Sequence, residues 1–188
     1  TGCVIGCKHA ADRQYADQCS TKFGGKPMAD SDSLYRELKG SLQAVAEPLF
    51  EHACQQVEKR GAFLPVGSKL SSNGEIGLVA AAPEEDVTSS DVVLPLLIAA
   101  LRESAAAADA VALCEWVKIE AGGRKPSDAV KVHAQHRRGL SVAFYIPATK
   151  SLFRGWQFGE MMVMAADPFI ASWPGTDAEP GAAADGGG

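Results

Sequence analysis

Between residues 129 and 148 the chain reads AVKVHAQHRRGLSVAFYIPA, and this stretch limits the fold more than any other. Two runs alternate between apolar and polar residues, the period-two pattern of half-buried strands. Arg137-Arg138-Gly139 lies between them. With a three-residue loop, His136 faces Leu140, Ala134 faces Val142, Val132 faces Phe144 and Val130 faces Ile146. All the apolar side chains then share one face. A two-residue loop would set apolar positions against polar ones along the whole pair. The pattern therefore selects the three-residue form, with Gly139 in the left-handed conformation. Such a hairpin carries one apolar face and needs a second layer to cover it.

A covering layer is available upstream. Leu34, Leu38, Leu42, Val45, Leu49, Ala53 and Val57 recur at helical spacing, which predicts a long helix from Ser31 or Ser33 to Lys59 with one apolar stripe. Pro48 lies inside it, and a proline removes a hydrogen bond and crowds the preceding turn. A kink or break is expected near Ala46. Next, Asn73-Gly74 is a hairpin signal, since both residue types take positive φ readily, and it joins strands over Phe63–Leu70 and Glu75–Ala82. A loop ending in an N-cap at Ser89 or Ser90 leads into an apolar helix, DVVLPLLIAALRESAAAA, which should lie against the sheet. Then come a strand over AVALCEWVKIEA, a turn at AGGRKPSD, the hairpin above, and a last strand over FGEMMVMAADPF. The order is α-ββ-α-ββββ. It predicts an α+β fold: a mainly antiparallel five- or six-stranded sheet with the helices packed on one face.

The two ends read differently from this middle. Residues 1–27 show little periodicity and hold three of the five cysteines, and composition changes at Met28. They are read as a leader or extension to a single domain over 28–173. Residues 174–188, built from Pro, Gly, Ala and Asp, read as a disordered tail. Hydrophobic residues make up 46% of the chain, enough for a core without disulfides or metal. The net charge of −5 gives no global basic field for nucleic acid or anionic lipid, and no apolar run is long enough to span a membrane. An odd cysteine count, with Cys54 and Cys114 in apolar segments, argues against a disulfide framework and for the cytoplasm.

Four groups of residues invite a chemical reading. Cys3, Cys7, His9 and Cys19 contain one C-x₃-C pair, but zinc needs a second pair of donors, so no metal is expected. His133 and His136 are three apart on a strand and point to opposite faces, so they cannot share a ligand. His133 shares a polar face with Lys131, Gln135, Ser141, Ala143 and Tyr145. That face is either a solvated outer surface or a binding surface. Glu115, Glu120 and Glu160 are carboxylates that acid–base chemistry would require in pairs. Finally, Phe153, Trp156 and Phe158 surround Arg154 in LFRGWQF, as a partner anchor or a covered core edge would. The segment around Gly67 and Gly74 runs from strand to strand, so it is not a phosphate loop.

The motifs GAFLPVGSKLSSNGEIGLVAA, AVALCEWVKIE, DAVKVHAQHRRGLSVAFYIPATK and FGEMMV resemble a widespread family of small bacterial single-domain proteins of unknown function. That family shows an F-x-P-x-G strand, a D/N-G-E hairpin, a central helix and an E/Q-H-x-x-G hairpin. The resemblance covers about residues 40–166 and implies a cytoplasmic single-domain protein without assigning catalytic residues. The element order is also similar to roadblock-like and profilin-like domains, a likeness of topology alone. The sequence thus leads to a non-enzymatic interaction or regulatory module with a protein partner or self-association, no cofactor, no nucleic acid and no membrane. Its candidate binding residues are Lys131, His133, Tyr145, Arg154 and Trp156. One alternative is a small hydrolase using His133 with Glu115 or Glu160. The other is a metal or redox protein using the N-terminal cysteines.

Overall fold

The computed structural model describes residues 28–81, 89–120 and 126–174. The Cys3, Cys7, His9 and Cys19 group, the rest of 1–27 and nearly all of 174–188 lie outside them. The described residues form α1 (Met28–Arg60), β1 (Val66–Ser71), β2 (Ile76–Val79), α2 (Ser90–Ala105), β3 (Ala108–Ile119), β4 (Ser127–His136), β5 (Ser141–Ser151), β6 (Gly155–Phe158) and β7 (Met162–Ala165). The order α-ββ-α-ββββ is the one expected, with one strand more. The sheet is antiparallel throughout, in the order β2-β1-β3-β4-β5-β6, and β7 pairs with β5 beyond the end of β6.

The central hairpin has the register that its alternation demands. Val130, Val132 and Ala134 pair with Ile146, Phe144 and Val142, and the His136 N–H donates to the Leu140 carbonyl. Gly139 takes φ 85°. The first hairpin uses the same turn one sheet edge away: the Ser71 N–H donates to Glu75, and the Gly74 N–H donates back to Ser71. Only Gly74 has positive φ there, at 87°, so Asn73 does not share the left-handed conformation expected of the pair. Instead its side-chain oxygen accepts from the Glu75 N–H, as Asn commonly does in turns.

Helix α1 runs through Pro48 without a break, in contrast to the expected interruption near Ala46. The proline withdraws the N–H that the Ala44 carbonyl would otherwise receive. The next carbonyl, Val45, accepts a 2.6 Å hydrogen bond from the buried Ser68 hydroxyl of β1. A strand side chain thus supports the helix backbone at its weakest turn.

The helices lie on opposite faces of the sheet, not on one. Leu38, Leu42, Val45, Leu49, Ala53 and Val57 of α1 pack on Ala110, Ala112, Cys114, Val130, Val132, Val142, Phe144 and Val163. Leu97, Leu101 and Ala105 of α2 pack on Val111 and Leu113, which point the other way. The physical reason is in β3, where the run from Ala110 to Cys114 is buried on both sides. Gly67 lets α2 approach: a Cβ there would sit 3.0 Å from the Leu101 methyl carbons.

The last expected strand, 158–169, shortens to β7, and the extra strand β6 forms just before it over Gly155–Phe158. Pro147 in β5 has no N–H to donate, and its carbonyl accepts from Gly159 at 2.8 Å. A residue in an antiparallel ladder points both backbone groups at the same neighbour. The missing donor therefore faces the outer edge, and the edge chain is interrupted there between β6 and β7.

Candidate functional site

The face of the sheet under α2 is only partly apolar. Strand pairing lays its side chains in rows: Glu115, Lys131, Tyr145 and Met162 in one, and Leu113, His133, Ala143 and Met164 in the next. Helix α2 covers the β1 and β3 side. After β7 the chain turns back across this face as a strap. Gln135 fixes the strap through both ends of its amide, donating to the Ile170 carbonyl at 2.8 Å and accepting from the Ile170 N–H at 3.0 Å. Arg102 of α2 donates to the Phe169 carbonyl at 3.1 Å. Ile170 and Trp173 join the α2 core, and the Phe169 ring meets the His133 ring edge-on at 4.8 Å.

What the strap leaves uncovered is a cavity of about 350 Å³ lined by Lys131, His133, Ala143, Tyr145, Met164 and the chain from Ala165 to Asp167. The small Ala143 between His133 and Met164 makes the hollow. The face is therefore neither a flat solvated sheet nor a packed core. His133 itself is 8% exposed. Its Nε2 and the buried Ser141 hydroxyl share a 2.8 Å hydrogen bond whose direction follows the imidazole tautomer. Burial first, and the Lys131 charge second, lower the His133 pKa to about 4, against a smaller opposing effect from Asp167. The ring is neutral at neutral pH. Lys131 donates to Glu115 at 3.0 Å across β3 and β4.

The structure brings together Lys131, His133 and Tyr145, three of the five candidates. It places Arg154 and Trp156 elsewhere, in a second cavity beside the C-terminal end of α1. Of the aromatic residues around Arg154, Trp156 and Phe158 cover the edge of the core, and Phe153 does not join them. Trp156 packs edge-on against Trp116 at 5.5 Å, Trp116 meets Phe63 at 6.1 Å, and Phe153 points into solvent. His133 and His136 do occupy opposite faces, and the His136 Nδ1 accepts from the Arg138 N–H at 3.2 Å.

Neither nominated carboxylate serves His133. Glu115 is held by Lys131, Glu160 lies in the connection between β6 and β7, and among the described residues no carboxylate hydrogen-bonds to the His133 ring. The Ser141 hydroxyl, bonded to that ring, does not line the cavity. Asp167 was missed in the sequence, because its approach depends on the strap folding back. No group of three or more metal-ligating side chains occurs among the described residues. Nor is any helix there long and apolar enough to cross a membrane.

Comparison of the chain with known protein families, curated proteins and solved structures returns no match.

Proposed function

We propose that the protein is a non-enzymatic binding or regulatory module that takes a small polar ligand in the His133 cavity. One observation carries this reading: Lys131, His133 and Tyr145 converge with Asp167 on a hollow of about 350 Å³, while the Ser141 hydroxyl bonded to His133 is not part of its lining. That volume is at the small end of ligand sites. Its wall offers a cation, a carboxylate, a phenol and a neutral imidazole. The ligand it fits carries both donors and acceptors. Turnover is disfavoured because the Ser141 hydroxyl, the nucleophile bonded to His133, is not among the groups that line the hollow.

The test is direct. The full chain is purified under native conditions and denatured, and released small molecules are identified by mass spectrometry. Wild type should release a bound molecule in near-stoichiometric amount. Ala143→Leu, which fills the hollow, and Tyr145→Phe, which keeps its shape but removes the hydroxyl, should release less. Wild type that carries nothing and gains no thermal stability from amino-acid, nucleoside or carboxylate panels defeats the proposal. Ester hydrolysis abolished by Ser141→Ala would replace it with the hydrolase reading.

Self-association belongs to the same proposal. Among the described residues strand β2 ends the sheet; it has four residues and leaves Ile76 and Leu78 exposed. An apolar open edge favours pairing with another strand, and Leu78→Lys should lower the apparent mass in gel filtration. We assign the protein to a reducing, cytoplasmic setting, in keeping with the buried free thiols of Cys54 and Cys114.

A further inference from the structure

The opposite end of the molecule carries a surface that the His133 cavity does not explain. The β5–β6 turn presents Leu152 and Phe153 at its tip, 96% and 95% exposed. Large apolar side chains are exposed singly on most surfaces, and an adjacent pair without cover marks an interaction site. Lys150 and Arg154 flank the pair in sequence. Behind the turn, a cavity of about 410 Å³ adds Lys59 and Arg60 from the end of α1, against one carboxylate, Glu58. The Lys150 ammonium lies 5.8 Å from the centre of the Trp156 ring, which forms part of the same wall. Among the described residues none of these four cations is in an ion pair. A local excess of cations therefore stands out on a chain whose net charge is −5.

We propose that this end docks reversibly on an anionic lipid surface, with Leu152 and Phe153 entering the interfacial zone and Lys59, Arg60, Lys150 and Arg154 facing lipid phosphates. The shape favours lipid over a folded partner. A two-residue apex protrudes, and a bilayer interface accepts a protruding apolar pair without a preformed pocket while cations stay at the headgroups. The proposal does not depend on the ligand in the His133 cavity. It reverses the expectation of no membrane partner, because that expectation rested on the whole chain's charge and on the lack of a spanning segment.

The experiment is co-sedimentation of the full chain with vesicles of phosphatidylcholine alone or mixed equally with phosphatidylglycerol. Binding should be at least about tenfold stronger to the anionic vesicles and should fall in 0.5 M salt, roughly as loss of one or more headgroup–cation attractions requires. The double variant Leu152→Ser, Phe153→Ser should lose most of it. Both side chains are fully exposed, so the fold should survive, and circular dichroism checks that. Lys150→Glu with Arg154→Glu should abolish the anionic preference. Failure to bind anionic vesicles overturns the proposal, as does binding that the Ser variant leaves intact. A Ser variant that changes only the oligomeric state without vesicles overturns it too, making the tip an interface between copies of this chain.

Discussion

The two faces of the sheet are built from the same strands and do different work. Under α1, Val130, Val132 and Ala134 of β4 and Val142, Phe144 and Ile146 of β5 are apolar and buried, and they close against one helix. Under α2 the odd-numbered positions carry Lys131, His133, Gln135, Ser141 and Tyr145, and they are closed only in part, by a helix at one side and a strap across the middle. The first face holds the molecule together by apolar area removed from water. The second holds polar groups that each need a named partner, because burial without one is costly. A sheet with one such face can keep a site on the other without endangering the fold.

The largest effect that tests this contrast is Phe144→Ala. Phe144 is buried under α1 and meets Phe50 edge-on at 6.3 Å. Its truncation should cost about 3–5 kcal/mol in urea unfolding. Tyr145→Phe, the next residue on the other face, should change stability far less. Equal costs would break the division of labour between the faces.

The second face should instead reveal itself through pH. His133 has a folded pKa of about 4 against an ordinary value of 6.5. The unfolded chain binds the proton more readily, so stability rises with pH between these values and is lost as pH falls from 6.5 towards 4. The loss at pH 4 is on the order of 3 kcal/mol. His136, also lowered mainly by burial, adds to the slope in the same direction. Urea midpoints from pH 7.5 to pH 4 should therefore fall more steeply for wild type than for His133→Gln, which can still bond to Ser141. Parallel curves would mean that the ring is more open to water than its surroundings indicate.

Much of this was legible in the sequence where the determinants are local. Both three-residue turns end in a glycine at the left-handed position, so loop length and register follow from Gly139 and from the alternation beside it. The shared face of Lys131, His133 and Tyr145 follows from the same period of two. Other features depend on distant neighbours. A helical stripe says that α2 buries one side, but not which face of the sheet it covers; the double burial of Ala110 to Cys114 was the available clue. The division between β6 and β7 is set by Pro147 on a different strand. Asp167 reaches the cavity only because Gln135 binds the strap, and Lys59 and Arg60 meet Arg154 only because β6 lies at that end of the sheet.

Adjacent residues on β1 sharpen the comparison at smaller cost. Ser68 points to α1 and Gly67 to α2. Ser68→Ala removes the hydroxyl that adds a second hydrogen bond to the buried Val45 carbonyl and should cost about 0.5–1.5 kcal/mol. Gly67→Ala places a methyl 3.0 Å from Leu101 and 3.1 Å from the Ala112 carbonyl, and should cost about 1–3 kcal/mol through crowding. The two should differ in kind. Hydrogen exchange should quicken around Pro48 in the first and along α2 in the second. The same pattern in both would show that the two helices are not independently seated.

The smallest expected effect lies on the surface of the well-packed side. Arg138, in the β4–β5 turn, makes a two-pronged ion pair with Glu37 of α1, the second contact at 3.1 Å. The pairing holds the Glu37 carboxyl below its ordinary range and the Arg138 guanidinium above its own. Both side chains are open to water, which screens the attraction, and ordering two long side chains opposes it. The apolar stripe of α1 already fixes the helix against the sheet, so the pair adds little. Glu37→Gln should leave the urea midpoint within error of wild type at 0.15 M salt. A clear loss of stability would show that the packing under α1 does not by itself hold the N-terminal half of the helix, and that the ion pair helps to set where the helix lies on the sheet.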